Sequence, residues 1–180
     1  MDSMAGIFRA AVALGVVFML GTGNSSAQSG NSASNSGCIL TEVGGTGRQV
    51  LKCRGGLTIT AERGARYTLL DRSRDGIVDA VRARSKAILL DAPKVPGGFV
   101  VDTPQAIAAV RGTRWAVDVS AGKTAVFVVR GAVSVRRQAN RAEVVLGPGE
   151  GVDVDESTDA LVVKRWPRPR VNALMARLGQ

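Results

Sequence analysis

The acidic residues are the first candidates for chemistry, because the chain contains no histidine. Histidine is the commonest general base and the commonest metal ligand, so catalysis by a serine or cysteine paired with histidine is excluded. Two carboxylates could still act as acid and base on a glycosidic bond. The candidates are Asp153, Asp155 and Glu156 near the end of the chain, and Asp71 with Asp75 in its middle.

Both acidic groups are better interpreted as surface features than as catalytic pairs. Asp153 and Asp155 share one face of a short predicted strand after a Gly-Pro-Gly turn, which indicates an exposed edge. In the loop from Asp71 to Gly76, the intervening arginines would repel a calcium ion, and no bidentate glutamate follows. We therefore expect a protein that is not an enzyme and that needs neither a metal nor another cofactor.

Arginine carries most of the positive charge. The 180 residues contain 24 lysines and arginines, nineteen of them arginine, against 15 acidic residues, which gives a net charge of +9. Guanidinium groups favour paired contacts with carboxylates or phosphates. The candidate anion contacts are Arg136, Arg137 and Arg141, and the candidate partner contacts are Trp166, which lies beside two prolines and is expected to be exposed, Arg168 and Arg170. Nucleic acid is not expected, because aromatic residues for base stacking are scarce.

Cys38 and Cys53 are the only cysteines. A structural disulfide closing a loop of about fifteen residues is favoured over a redox or metal pair, because the spacing is not that of a thioredoxin motif and histidine is absent. Such a bond stabilises a protein by about 3 kcal/mol in the chain-entropy interpretation. The sequences around both cysteines look like neighbouring strands, which would bring the two sulfur atoms together.

The first residues have the features of an export signal. Arg9 precedes an apolar run over residues 10–20, and the small residues Ser25, Ser26 and Ala27 follow, which predicts a signal peptide over 1–27 that is cleaved after Ala27. The alternative is an uncleaved anchor, but the apolar run is shorter than the roughly 20 residues that cross a bilayer. Residues 28–37 are rich in Ser, Asn and Gly and are predicted to be a disordered leader. We therefore expect an exported, periplasmic protein.

Short alternating segments between turns predict an all-β fold over residues 38–163. The expected architecture is a compact β-roll or solenoid-like structure, or a sandwich of short strands, with a short C-terminal helix. Besides the segments beside the two cysteines, the predicted strands cover residues 57–60, 67–70, 77–81, 87–90, 98–101, 114–119, 124–130, 131–135, 142–146 and 152–154.

Two central strands predict how the sheet is buried. From Arg114 to Val119, Trp115 and the two valines share one face, so this strand is half-buried with Trp115 in the core. From Thr124 to Arg130 both faces are apolar, which is typical of a strand in the middle of a sheet.

The C-terminal residues 164–180 form a link rich in proline and arginine, followed by a predicted helix. Val171, Leu174, Met175 and Leu178 recur at helical spacing. We expect this helix to cap an open end of the β-structure and to bury Leu174 and Leu178 there. The alternative is that the helix docks a partner.

A set of motifs follows in a fixed order between Asp102 and Arg136. A Thr-Pro pair precedes an Arg-Gly-Thr turn, then come two strand-like runs and a glycine ahead of a Val-x-Val strand. In this order the segment resembles the FecR domain, a periplasmic module of bacterial surface signalling. The residues that match the family motif are Thr103, Pro104, Arg111, Gly112, Thr113 and Gly131.

The Arg-Gly-Thr turn allows two interpretations. Arg111 and Arg114 flank it and could together bind an anion or a partner's carboxylate. Alternatively, Arg111 could hold carbonyl groups, Asp102 or Asp118 and so fix the fold, which is the favoured role.

The resemblance implies a β-structure that acts by binding. Family members of the sensor type sit in the inner membrane and relay the state of an outer-membrane receptor to a sigma factor. Because a cleaved leader would leave this chain without a cytoplasmic segment, we expect a non-catalytic periplasmic module of envelope signalling or scaffolding that acts through a membrane-bound sensor or receptor protein. The alternative is an arginine-rich envelope protein that binds an acidic glycan, lipopolysaccharide or another anionic lipid.

Overall fold

Strands make up most of the protein. The computed structural model describes residues 37–44, 46–94 and 96–180, so the predicted signal peptide and almost all of the predicted leader lie outside the described residues. The strands are β1 (Cys38–Val43), β2 (Arg48–Cys53), β3 (Thr58–Ala61), β4 (Arg66–Leu70), β5 (Ala80–Ala92), β6 (Phe99–Asp102), β7 (Ala106–Val110), β8 (Thr113–Ser120), β9 (Lys123–Arg130), β10 (Val133–Arg137), β11 (Glu143–Leu146), β12 (Glu150–Asp155) and β13 (Lys164–Arg165), and helix α1 spans Arg168–Arg177.

The strands form one curled sheet that closes to a half-barrel. Along its main path the order is β11, β10, β7, β6, β5, β8, β9, β12 and β13, while β1, β2 and β3 branch from β5 and β4 pairs with β5. The all-β class with a short C-terminal helix is therefore confirmed. The boundaries of the predicted domains stay a prediction.

Strand β5 connects the two halves of the sheet. Its first residues pair with β4 on one side and, in parallel, with β6 on the other. Its last residues pair with β8 on one side and with β3 on the other. The backbone of Lys86 has a φ of 65°, in the left-handed region that non-glycine residues rarely adopt. We predicted separate strands at 77–81 and 87–90; this was wrong, because a bend at Lys86 lets one strand serve both halves.

The concave side of the sheet holds the main core. Trp115 is fully buried there, as predicted, and its ring meets Phe99 edge-on with centroids 5.9 Å apart. Strand β9 lies between β8 and β12, in agreement with its two apolar faces. Strand β7 was not predicted as a strand, because its alanines carry a weak alternation signal.

The C-terminal helix covers the convex side of one half of the sheet. Leu174 and Leu178 are buried, as expected, but they pack on a second apolar cluster formed by Ala87, Leu89, Ala116 and Phe127 of β5, β8 and β9. The prediction that the helix caps an open end is therefore wrong. Where the helix lies, these three strands carry apolar residues on their convex face as well, so this part of the face needs a cover of its own. In the part of the chain that the structure describes, no helix has the length and apolarity to cross a membrane.

Candidate binding surface

The Thr-Pro motif builds a buried polar turn rather than an exposed site. The Thr103 hydroxyl accepts a hydrogen bond from the backbone N–H of Ala106 at 2.9 Å and lies 2.9 Å from the Thr124 hydroxyl on β9. Thr124 donates to the side-chain oxygen of Gln105, also at 2.9 Å. All three side chains are buried. The motif therefore joins the start of β7 to β9 across the core, with each polar group satisfied.

The Arg-Gly-Thr motif forms a corner whose threonine faces inward. Thr113 is fully buried and donates to the carbonyl oxygen of Ala132 at 3.1 Å, which ties the corner before β8 to the corner before β10. Gly131 has a φ of 90°, and a Cβ there would lie 2.8 Å from the Thr113 hydroxyl oxygen. Only glycine fits this close approach with that backbone conformation. Thr113 and Gly131 thus act as one structural unit.

Arg111 does not take part in this unit. Its side chain is exposed and has no hydrogen-bond or ion-pair partner among the residues that the structure describes. The prediction that it holds Asp102 or Asp118 is wrong, because Arg82 pairs with Asp102 at 2.9 Å and Arg177 pairs with Asp118 at 2.6 Å. The arginines that bind these two carboxylates are distant from them in the sequence, so spacing along the chain does not reveal the pairs.

The three predicted anion contacts do not come together as a cluster. Arg136 and Arg141 are exposed, but Arg137 is only 2% exposed and points to the concave side of β10. There its guanidinium donates to the carbonyl oxygen of Asp159 and, at 3.3 Å, to the carboxylate of Asp155. Adjacent residues of a strand point to opposite faces, so Arg137 was a wrong choice for a solvent-facing contact.

Two of the candidate catalytic carboxylates, Asp153 and Asp155, are each paired with an arginine. Asp153 forms a two-pronged ion pair with Arg170, with one contact of 2.9 Å, and Asp155 pairs with Arg137. Hydrogen bonds from Ser157 and the charge of Arg137 lower the pKa of Asp155 below its usual value. Both side chains line a groove of about 250 Å³ beside Trp166. Asp155 is therefore not set up as a general acid, because such an acid needs a raised pKa.

Trp166 is a core residue and not an exposed contact, which corrects the prediction for this side chain. It is 7% exposed and stacks on Phe127 with ring centroids 5.0 Å apart. The Arg170 guanidinium covers its other side at 3.5 Å from the ring centroid. A Cβ on Gly151 would collide with the indole, so this strand position allows the ring to lie flat on the sheet. Arg168 remains exposed.

Ion pairs hold both ends of α1 on the sheet. Arg170 binds Asp153 near its start, and near its end Arg177 donates to Glu62 and to Asp118, both at 2.6 Å. Burial raises the pKa of Glu62, but the hydrogen bonds from Arg177 and from the Ala87 N–H, with the charges of Arg177 and Lys86, outweigh this effect and lower it. The carboxylates also raise the pKa of Arg177. The helix is therefore docked by apolar contacts and charge together.

Cys38 and Cys53 form the predicted disulfide. They are directly opposite each other in the antiparallel pair of β1 and β2. Cys53 is buried in the core cluster, so the bond fastens the first strand to the rest of the sheet.

The convex side of the other half of the sheet has no helical cover among the described residues. A row of outward-facing residues crosses four strands in register, from β6 to β11: Val100, Ala109, Ser134 and Val145. They line an open groove of about 340 Å³, with Gly98, Ala132 and Arg111 at one side. Val145 is 66% exposed. We call this groove, with Arg111 and Arg136 beside it, the open face.

Sequence reasoning missed the apolar residues of the open face. Each of the four strands has its core residues at alternate positions, and the open face consists of the positions between them. Val100 and Val145 are apolar residues at these outward positions, and this departure from alternation can be recognised in the sequence of each strand. The register that joins them across four strands cannot be found from any one strand.

Comparisons with known proteins give a match to one family model and to solved structures of similar fold. The family described as FecR protein matches residues 42–134, and no curated protein matches the sequence. Two crystal structures of a "putative anti-sigma factor" from Parabacteroides distasonis, at 1.65 and 2.50 Å resolution, have a similar fold, each with a TM-score of 0.59 and 18% identity. The alignments cover 76% and 77% of this chain and 64% of those chains. At this identity the likeness concerns the fold. Because the family match covers more than half of the 180 residues, the chain belongs to the FecR family.

Proposed function

We propose that this protein is a non-catalytic, periplasmic FecR-like binding module of envelope signalling or scaffolding, which acts through a membrane-bound sensor or receptor protein. The family match over residues 42–134 carries this proposal. The resemblance of the fold to a protein named as an anti-sigma factor supports a regulatory role. The predicted export signal supports the periplasmic location.

The arrangement of the polar residues favours binding over catalysis. The family motif residues Thr103 and Thr113 are used inside the fold, where they tie strand corners together. Asp153 and Asp155, two of the candidates for carboxylate chemistry, are each paired with an arginine. What the fold leaves unpaired is a set of exposed arginines, which suits contact with an acidic partner.

The location is tested by expressing the full chain with a C-terminal tag and separating the cell fractions. We expect a soluble periplasmic product whose amino-terminal sequence begins at Gln28, after cleavage at Ala27. A product that stays in the cytoplasmic fraction would overturn the periplasmic location, and an uncleaved product in the membrane fraction would support the anchored alternative.

The partner is tested by cross-linking the tagged protein in intact cells and purifying it from envelope fractions. We expect an integral membrane protein to be recovered with it at a level well above that of an unrelated periplasmic protein with the same tag. Recovery of no membrane protein above this control would count against the proposal.

The glycan-binding alternative has less support from the structure, because Arg137 is inside the fold and leaves only two of its three contacts exposed. It predicts retention on an anionic polysaccharide that moderate salt abolishes. Arg136→Gln and Arg141→Gln together should remove this retention if the alternative holds.

A further inference from the structure

The open face combines two properties. Its centre is a groove of about 340 Å³ lined by Val100, Ala109 and Val145, and one acidic group lies beside it, because Ser134 donates to the carboxylate of Glu143, the residue opposite Arg136 on β11. Its two arginines, Arg111 and Arg136, have no hydrogen-bond or ion-pair partner in the part of the chain that the structure describes. By contrast, Arg82, Arg130, Arg170 and Arg177 are all committed to carboxylates of the chain itself.

The strand register fixes where these two arginines lie. Ala109 pairs with Ser134, and Arg136 pairs with Ile107. Arg111 is two residues beyond Ala109, and β7 and β10 are antiparallel, so the two arginines lie on opposite sides of this rung. Four residue steps along a strand, with one strand spacing across, put their Cα atoms about 14 Å apart. The groove lies between Arg111 and the rung that carries Arg136.

We propose that the open face binds an extended acidic segment of a partner protein, in which two carboxylates four residues apart flank an apolar side chain. In an extended chain, residues i, i+2 and i+4 share one face and span about 13 Å, which matches the separation of Arg111 and Arg136. The apolar side chain of the middle residue enters the groove between Val100 and Val145. The two carboxylates form paired contacts with the guanidinium groups.

Charge and shape together favour a protein over a polyanionic glycan. The net charge of +9 attracts acidic partners of any kind. An apolar groove adds affinity only for a ligand that carries an apolar group at the right distance from its charges, and a polyanionic glycan lacks one. This inference rests on the proposed function, since it names the surface through which the protein partner would be bound.

The test uses the purified full chain and two labelled nine-residue peptides in a fluorescence anisotropy titration. In one peptide, glutamate, threonine, isoleucine, threonine and glutamate follow in this order between glycine and serine flanks; in the other, the same residues are shuffled so that the two glutamates are adjacent. We expect the ordered peptide to bind at least about tenfold more tightly than the shuffled one, because only it can reach both arginines.

Charge reversal locates the binding. Arg111→Glu with Arg136→Glu should weaken binding of the ordered peptide at least about tenfold, and Val145→Asp should weaken it as well, because a carboxylate would then lie in the groove. Arg74→Glu with Arg168→Glu is the matched control, since it makes the same change of charge at two exposed arginines away from the open face. A cooperative urea transition with a folded baseline for every variant ensures that a loss of binding is not a loss of fold.

Several outcomes would overturn the inference. Equal affinity for both peptides, or equal effects of the two charge-reversal pairs, would show plain attraction of anions. A failure of the ordered peptide to bind would exclude this segment chemistry. A dimer that dissociates on Arg111→Glu would identify a second copy of this chain as the occupant. If the membrane partner is still recovered in these cases, the proposed function stands and only the assigned surface is wrong.

Discussion

The convex side of the sheet is covered by the helix in one half and exposed in the other. Over β5, β8 and β9 the chain supplies its own cover, because α1 and Trp166 pack on Ala87, Leu89, Ala116 and Phe127. Over β6, β7, β10 and β11 a smaller apolar area remains in contact with solvent. Apolar residues on the convex side therefore do not by themselves define a core or a binding surface. They become part of a core only where a later segment of the chain packs on them.

The largest test of this difference places the same charged residue on both halves. Leu174→Asp should destabilise the protein by about 4 kcal/mol, because a carboxylate would enter the buried contact between α1 and the sheet. Val145→Asp should lower stability by less than about 1 kcal/mol, since that side chain is already in water. Urea unfolding of the oxidised protein measures both. Similar losses for the two variants would mean that the halves do not differ as described.

Removing the indole gives the next largest effect. Trp166→Ala should destabilise the protein by about 3 kcal/mol, because the stack of Phe127, Trp166 and Arg170 is lost and a cavity remains on Gly151. Trp166→Phe keeps an aromatic ring and should lose about half as much. Proteolysis near the Pro167 to Pro169 link should increase in the same order. An unchanged cleavage rate in Trp166→Ala would show that the indole does not hold the helix.

An ion pair on the covered half can be compared with an unpaired arginine on the open face. Arg177→Ala should lower stability by about 1 kcal/mol, because two carboxylates lose their common donor in a partly exposed setting. Arg136→Ala should change stability by less than about 0.5 kcal/mol. A double-mutant cycle between Arg177→Ala and Asp118→Ala should show positive coupling. A coupling of zero would mean that the pair contributes nothing to docking of the helix.

The smallest effect is a dependence on pH that the Glu62 ion pair of the covered half should show. The pKa of Glu62 is below its usual value of 4.5 in the folded protein. Stability from this group is fully present above the unfolded pKa and is lost as the pH falls through the folded pKa, because the unfolded chain then binds the proton more readily. Wild type and Glu62→Gln should therefore become more alike in stability below about pH 4.5. A constant difference from pH 7 to pH 3 would contradict this role.

Several elements of this fold could be predicted from local patterns. Strands β2, β8 and β9, the burial of Trp115 and the Cys38 to Cys53 bond follow from alternation and spacing, which are properties of neighbouring residues. The 13 residues of β5 could not be predicted as one strand, because its continuity depends on different partners at its two ends. The burial of Trp166 was missed for a similar reason: its neighbours in sequence are prolines and arginines, while its contact, Phe127, is nearly forty residues away.

The candidate site shows the same limit. The order of the family motifs led to the right family. It did not reveal that Thr113 and Gly131 contact each other inside the fold, or that the Arg111 side chain stays exposed. Arg137 was misassigned because the cluster was treated as a run of charge, although strand alternation turns every second residue inward. The open face depends on register across four strands, which is long-range information.

The disulfide determines how the domain would carry a mechanical load. A pull on the chain ahead of Cys38 passes through the sulfur bridge to Cys53 and so reaches the main sheet without loading the β1 and β2 hairpin. With the bridge reduced, the same pull would peel β1 from β2 one residue pair at a time. About 50 Å of extra chain, at about 3.5 Å for each of the residues from Cys38 to Cys53, would then be released before the sheet itself is strained. The oxidation state of Cys38 and Cys53 therefore sets how far the chain ahead of the sheet can extend under load.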